Sequence, residues 1–551
     1  MLLGPLPAPP KWLPEDAVIE TYDIIVAGAG SAGCVLANLL SEHPGTRVLL
    51  LEAGGSDWNP LVSIPLGARK LLDWGWYQWN DLSEPDPGLN GRRQRVPHGK
   101  LIGGTSSINF MAHVRGHPDD YANWVNCGAK SWSYEAVLPF FRQSERWLLG
   151  GDQWRGAEGR VSVEPSALRD PIAQNWFAAI AASGQGRTTD YNGENPEGFG
   201  PMQYSVDHGR RSSAASAYLK PALSRPNLRL IKRATVTRVL FDGRRAVGVE
   251  YVRAGRTGQA LCSDRLVLSM GAINTPQVLM LSGVGPANHL KQVGINPVVD
   301  LPVGKNLEDH LGYFVEWERH DVDPFHASLR LDRIAVNMMR AYLFRTGPAA
   351  HLPGSIGGFI RSSPELVAPD LQFLIPFISP SANVWLPGQN VRAQAEFAVK
   401  VQLTSQRSRG EVKLASADFR TRPQIVYNSL SDDHDLKVLR AGFRIAQDLG
   451  NSPALAPFRK SPKNPDRVLE HDEEIDSFIR ATATQQYHPA STCPMGGDSQ
   501  AVLTNELKVR GTANLFVVDA SAMPRLISGN PNIVIIMMAA RAVDLWKQLP
   551  T

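Results

Sequence analysis

The stretch Tyr22-Asp23-Ile24-Ile25-Val26-Ala27-Gly28-Ala29-Gly30-Ser31-Ala32-Gly33 decides the fold. Its first six residues suit a buried strand, the glycines call for a tight turn, and the run from Cys34 to Leu40 is helical. A second apolar strand, Arg47 to Leu51, ends in Glu52, 19 residues after Gly33. Strand, glycine turn, helix, strand and acid at this spacing predict a βαβ dinucleotide site. Gly28 makes the turn, Gly30 lets the backbone approach a pyrophosphate, and Gly33 lets helix and strand pack closely. Unpaired N–H groups at the helix start, beside Ser31 and Ala32, would face the phosphates, and Glu52, followed by Ala53, would accept from ribose hydroxyls.

Outward from this unit the chain reads as mixed α/β. Strand-like segments at Leu228 to Leu240, Ala246 to Val252 and Arg265 to Ser269 alternate with helical ones at Thr275 to Leu281 and Asp435 to Leu449. The stretch from Asp321 to Ser405, rich in Pro, Phe and Leu, has no phosphate-loop glycines and reads as a separate substrate-facing layer. The first residues carry five prolines among twenty, without a charged start and apolar core, so they read as a tail over 1–20 and not as a signal peptide.

Composition narrows the function. Of 551 residues, 57 are Lys or Arg and 53 are Asp or Glu, a net charge of +4, and no basic run is flanked by aromatics, so nucleic acid is not an expected partner. Cys34, Cys127, Cys262 and Cys493 are too scattered for a disulfide framework or a zinc site, and no metal is expected. The longest apolar run, Ile533 to Ala540, is too short to span a bilayer. Together these predict a soluble cytoplasmic enzyme whose oligomeric state is left open.

Further motifs decide which dinucleotide enzyme this is. They are Gly99-Lys-Leu-Ile-Gly103-Gly104-Thr-Ser-Ser-Ile108-Asn109, Gly271-Ala-Ile-Asn-Thr275-Pro276 through Ser282-Gly283-Val284-Gly285, Tyr487-His488-Pro489 and Gly529-Asn530-Pro531-Asn532. Gly304-Lys-Asn306-Leu-Glu-Asp309-His310 and Val517-Val518-Asp519-Ala520-Ser521 recur in the expected order. From about residue 20 to 548 the chain resembles the glucose–methanol–choline family of flavin oxidoreductases.

The resemblance implies FAD, not NAD. It implies an α/β fold in which a Rossmann-like FAD-binding domain is interrupted by a substrate domain built on an antiparallel β-sheet flanked by helices. The boundaries expected are 21–168, 214–320 and 486–551 for the FAD domain, with 169–213 and 321–485 for the substrate domain. Flavin contacts are expected from Gly103, Gly104, Asn109, Phe110, Met111 and Ala112, from Val236, and from Asp519, Ala520, Pro531 and Asn532. Where some family members attach flavin through a histidine, Ile108 stands here, so noncovalent FAD is expected. The second motif, 271 to 285, reads as scaffold.

The chemistry implied is alcohol oxidation: a base takes the hydroxyl proton, a donor positions the oxygen, and hydride passes to flavin N5. His488 matches the family's catalytic histidine, and a base of near-neutral pKa makes the rate rise with pH through that range. His310 reads as structural. Asn530 precedes Pro531 and an apolar helix, so its amide oxygen reads as an N-cap while its amide NH2 donates to the substrate oxygen.

Two departures, His113 in the first motif and Ser491 in His488-Pro-Ala-Ser491-Thr492, bear on the shape of the substrate pocket. Choline-specific members place a glutamate where this chain has Ser355 in His351-Leu-Pro-Gly-Ser355-Ile-Gly357-Gly358, so a neutral primary alcohol is expected, with Phe373, Phe377 and Trp385 as apolar neighbours or core. The alternative is a flavin-containing lyase of the hydroxynitrile type without net redox change. The electron acceptor is either oxygen or a quinone-like or dye-like molecule.

Overall fold

The computed structural model describes residues 20–321, 324–390 and 392–548. All but the last residue of the expected N-terminal tail lies outside them. Thr21–Ala27, Ser31–Leu40 and Val48–Glu52 form the strand, helix and strand expected from the opening motif, and the two strands pair in parallel. Both are almost fully buried, as a run apolar on both faces requires.

These strands lie inside a seven-stranded sheet. Its order is Leu228–Lys232, Val48–Glu52, Thr21–Ala27, Arg256–Leu268, Arg245–Arg253 and Ala234–Asp242, with Leu515–Val517 also paired to Arg256–Leu268. The expected single strand from Leu228 to Leu240 is in fact two. Arg233, at φ 56°, separates a strand parallel to Val48–Glu52 from one antiparallel to Arg245–Arg253. Such a reversal in a β-branched run leaves no glycine or proline mark, which is why the pattern missed it.

A second seven-stranded sheet roofs the first domain. Its order is Arg459–Asn464, Leu311–Arg319, Glu396–Leu403, Leu371–Pro376, Ser355–Ile360 and Gly198–Pro201, all antiparallel, with Thr484–Gln485 added to the start of Leu311–Arg319. Leu311–Arg319 therefore belongs to the substrate sheet, which corrects the expectation that the first domain runs to residue 320. The strand follows directly on the Asn306-to-His310 motif, with no linker composition to mark the crossing.

Period-two alternation gives this sheet two unlike faces. Tyr313, Val315, Trp317, Phe373, Ile375, Phe397, Val399 and Val401 enter the second core, where the sheet meets the helix Asp433–Asn451. Phe373 and Phe377 lie in that core and outside the lining of the cavity described below, so the core reading holds for these two; half-buried Trp385 belongs neither to that core nor to the cavity lining. The opposite face carries Phe314, Gln372, Leu374, Lys400 and Gln402, all of which line the cavity between the sheets.

Candidate active site

That cavity encloses about 860 Å3, towards the upper end of the roughly 300–1,000 Å3 common for ligand pockets. Gly28, Gly30, Ser31, Ala32, Glu52 and Ala53 line one end, joined by Val236. Gly104, Asn109, Phe110, Met111 and Ala112 line its middle with Asp519, Ala520, Pro531 and Asn532, while His488 and Asn530 stand below the second sheet. Gly33 and Gly103 do not line it. Gly33 does what its place in the motif requires, since a Cβ there would lie 1.8 Å from the Gly28 carbonyl oxygen.

The dinucleotide end fits FAD on the chain's own features. The helix Ser31–Leu40 makes its first intrahelical bond from the Cys34 N–H to the Gly30 carbonyl, leaving the earlier N–H groups at the cavity wall. Glu52 accepts from the Ala29 N–H at 2.9 Å and the Gly54 N–H at 2.7 Å, which aims its carboxylate beside the glycine turn. Burial pushes its pKa up to about 7 against those two donors. Ile108 lines the cavity and offers no nucleophile.

The loop through 103–112 is clamped by a residue that sequence reading missed. Buried Arg211 donates to the carbonyls of Val62 (2.8 Å), Ser106 (3.3 Å) and Asn109 (2.6 Å) and to Asn109 Oδ1 (2.8 Å). Asp519 Oδ2 accepts from the Gly271 N–H and the Thr275 hydroxyl, and its Oδ1 from Ser521. The helix they join, Gly271–Leu281, begins four residues earlier than expected, and Gly271, Ala272, Asn274 and Gln277 line the cavity. The second motif is thus cavity wall as well as scaffold.

At the reaction end, three side chains and a backbone carbonyl form one chain of hydrogen bonds. Asn530 Nδ2 lies 3.0 Å from His488 Nε2, His488 Nδ1 lies 2.9 Å from His310 Nδ1, and His310 Nε2 lies 3.0 Å from the Ile527 carbonyl. A carbonyl only accepts, so His310 carries its proton on Nε2 and accepts on Nδ1. His488 then donates from Nδ1 and keeps a lone pair on Nε2, the nitrogen beside Asn530. His310 is therefore a positioning residue for His488. Its expected structural role is real but incomplete, and the local sequence could not show a partner 178 positions away.

Asn530 does not cap the following helix. Asn532–Lys547 has no side-chain cap, and the Asn530 amide oxygen instead accepts from Gln372 Nε2 at 3.5 Å. Gln372 in turn accepts from Gln402 Nε2 at 2.8 Å. Asp309 takes the His488 backbone N–H on Oδ1 at 2.8 Å, and burial pushes its carboxyl up to about 7. Burial first, then the neighbouring His310 and the charge of Lys400, hold the His488 pKa well below the ordinary histidine value.

Neither sequence departure shapes the cavity. His113 is fully buried away from it, between Ser205 Oγ at 3.1 Å and Glu145 Oε2 at 3.0 Å, which removes it as an alternative base. Ser491 lies behind the wall at φ 67°. Among the described residues no group of three or more His, Cys, Asp or Glu could hold a metal ion, and no helix is long and apolar enough to cross a membrane.

A glycine-turn dinucleotide site, continuous with a histidine–asparagine pair under an antiparallel sheet, defines an FAD-dependent oxidoreductase acting on CH–OH groups. The chain belongs to the GMC oxidoreductase family, whose N-terminal and C-terminal models match residues 22–312 and 406–539. It is 41% identical over 96% of its length to mitochondrial choline dehydrogenase of Mus musculus, covering 90% of that protein. It is 38% identical to an oxygen-dependent choline dehydrogenase of Vibrio vulnificus, over 96% of this chain and 94% of that one. Among solved structures, pyridoxine 4-oxidase from Mesorbium loti superposes with a TM-score of 0.86 at 28% identity, covering 96% of this chain and all of that one.

Proposed function

We propose that this enzyme oxidises a primary alcohol bearing no positive charge to the aldehyde, with His488 Nε2 as the base and noncovalent FAD as cofactor. The observation that carries the reading is the hydrogen-bond chain from Asn530 through His488 and His310 to the Ile527 carbonyl, which leaves one imidazole lone pair beside an amide donor in the cavity. FAD would be held by the glycine turn, Glu52 and the loop through 103–112, and when bound would supply the hydride acceptor.

The chain's own residues account for the proton. An alcohol oxygen that replaces the Asn530–His488 contact receives a hydrogen bond from the Asn530 amide and gives its proton to His488 Nε2. The resulting imidazolium keeps its Nδ1–H on His310. A depressed His488 pKa holds the base unprotonated at neutral pH, which brings the acid limb of the rate below pH 6.5 instead of at it.

The relatives named above act on choline, yet the carboxylates on this cavity wall are already engaged: Glu52 by the Ala29 and Gly54 N–H groups, Asp73 by Arg69, and Asp519 by Gly271, Thr275 and Ser521. Ser355 stands on the cavity face, its hydroxyl 2.5 Å from that of Tyr204 and its N–H on Ser166 Oγ. The test is anaerobic mixing of the yellow holoenzyme with a panel of alcohols that includes choline. Neutral primary alcohols should bleach the flavin faster than choline does; bleaching by choline alone overturns the substrate reading, and binding without any bleaching leaves the lyase chemistry in its place.

A further inference from the structure

Beyond its electrostatic effect on His488, Lys400 has no part in the reaction described above. It lies on Glu396–Leu403, paired with Phe314 on one side and Leu374 on the other, and it faces the cavity. Its Nζ is 6.0 Å from the centre of the Phe314 ring, and it has neither a hydrogen bond nor an ion pair among the described residues. The acids on the same face are spoken for: Glu316 and Glu396 both pair with Lys463, and neither lines the cavity. Asp309 is near enough to favour the charged form of Lys400, but its oxygens take the His488 N–H and the Tyr427 hydroxyl. Burial lowers the Lys400 pKa to about 8, so the ammonium is still largely charged at neutral pH.

A half-buried ammonium with no protein acceptor keeps its charge only by completing its shell from the side that stays open. The side open to completion is the cavity. We propose that Lys400 is a specificity-determining residue and that the preferred alcohol carries a carboxylate at the end remote from its carbinol. This rests on the reading of His488 and Asn530 as the alcohol-binding pair. The spacing suits a short hydroxy acid. Gln372, which contacts Asn530, faces Gln402, and Lys400 is two residues from Gln402, about 6.6–6.8 Å along the strand.

The experiment compares 4-hydroxybutyrate, 1-butanol and choline as reductants of the holoenzyme flavin under anaerobic conditions, in wild type, Lys400→Met and Lys400→Arg. Wild type should half-saturate with 4-hydroxybutyrate at a concentration about 10-fold or more below that for 1-butanol, with choline weakest. Lys400→Met should bring the two uncharged-end and carboxylate-end substrates level, and Lys400→Arg should keep most of the preference. Butyrate, which cannot be oxidised, should perturb the flavin spectrum of wild type and not of Lys400→Met. If alcohols reduce the flavin but wild type shows no preference for the carboxylate, or Lys400→Met weakens both substrates alike, the Lys400 assignment falls. If no alcohol reduces the flavin while butyrate still binds through Lys400, the oxidation reading falls and the anion site stands.

Discussion

His488 is oriented from both sides, so variants at its two neighbours and at the ring itself should fail differently. Replacing His488 with Ala removes the lone pair that receives the proton, and flavin reduction should slow by roughly 10²–10⁴-fold with FAD still bound. In wild type the reduction rate should be flat through neutral pH and fall only on the acid side of 6.5, because the ring must be unprotonated and burial depresses its pKa. That limb should vanish in the variant; stopped-flow traces across pH measure both. His310→Ala leaves the Nδ1–H of His488 without its acceptor and should slow reduction by about 10-fold, a loss of the size expected for one unsatisfied buried donor. Asn530→Ala should slow reduction with little change in melting temperature, since its amide oxygen bonds Gln372 and caps nothing.

At the scale of elements, the cofactor end depends on a turn and a clamped loop. Glu52→Ala deletes the carboxylate that organises Ala29 and Gly54, and the free energy of FAD binding should weaken by about 1.5–3 kcal/mol. Arg211→Met frees the carbonyls of Ser106 and Asn109 and should raise the FAD dissociation constant by about 10-fold or more, read as flavin lost on desalting. Acid or heat should release all the flavin from the wild-type chain, because Ile108 cannot tether it; colour remaining on denatured protein would show a bond elsewhere. The opening strand, turn and helix were legible because each is specified by neighbours in sequence. Arg211 was not, since nothing near it marks a loop more than 100 positions away.

Across the whole molecule, the two domains are stitched by a buried ionic cluster next to the first motif. Glu145 accepts from His113 and from Arg155 at 2.8 Å and pairs with Arg115 at 2.8 Å, while Arg155 also holds Asp190. Burial alone would raise the Glu145 pKa; Arg115, His113 and Arg155 outweigh it and hold the carboxyl far below its usual value. Glu145→Gln leaves two buried guanidinium groups short of their counter-charge and should destabilise the fold by about 3–5 kcal/mol. A carboxyl with a depressed folded pKa contributes stability above its unfolded value of 4.5 and loses it as pH falls towards the folded pKa. The stability gap between wild type and variant should therefore be constant above about pH 5 and narrow below pH 4.5. Denaturant titrations at a series of pH values measure it, and a gap that persists unchanged at pH 3 would remove the ionised carboxylate from the account.

What the sequence by itself determined is the glycine turn with its flanking strand and helix, the alternation of strands and helices, and the choice of His488 and Asn530 as the pair proposed for the chemistry, because these are written in short contiguous motifs. Alternation in Glu396-Phe-Ala-Val-Lys400-Val-Gln402-Leu403 also held the two faces of the roof, though not which one lines the cavity. Only the tertiary structure decided which nitrogen of His488 keeps its lone pair towards Asn530, that His310 positions it, that Asn530 spends its oxygen on Gln372, and that His113 belongs to an ion cluster. Those assignments depend on partners 42, 178, 158 and 32 positions apart. Hydrogen bonding is set by distances of about 3 Å in space, and chain order constrains such distances only within a turn or a strand.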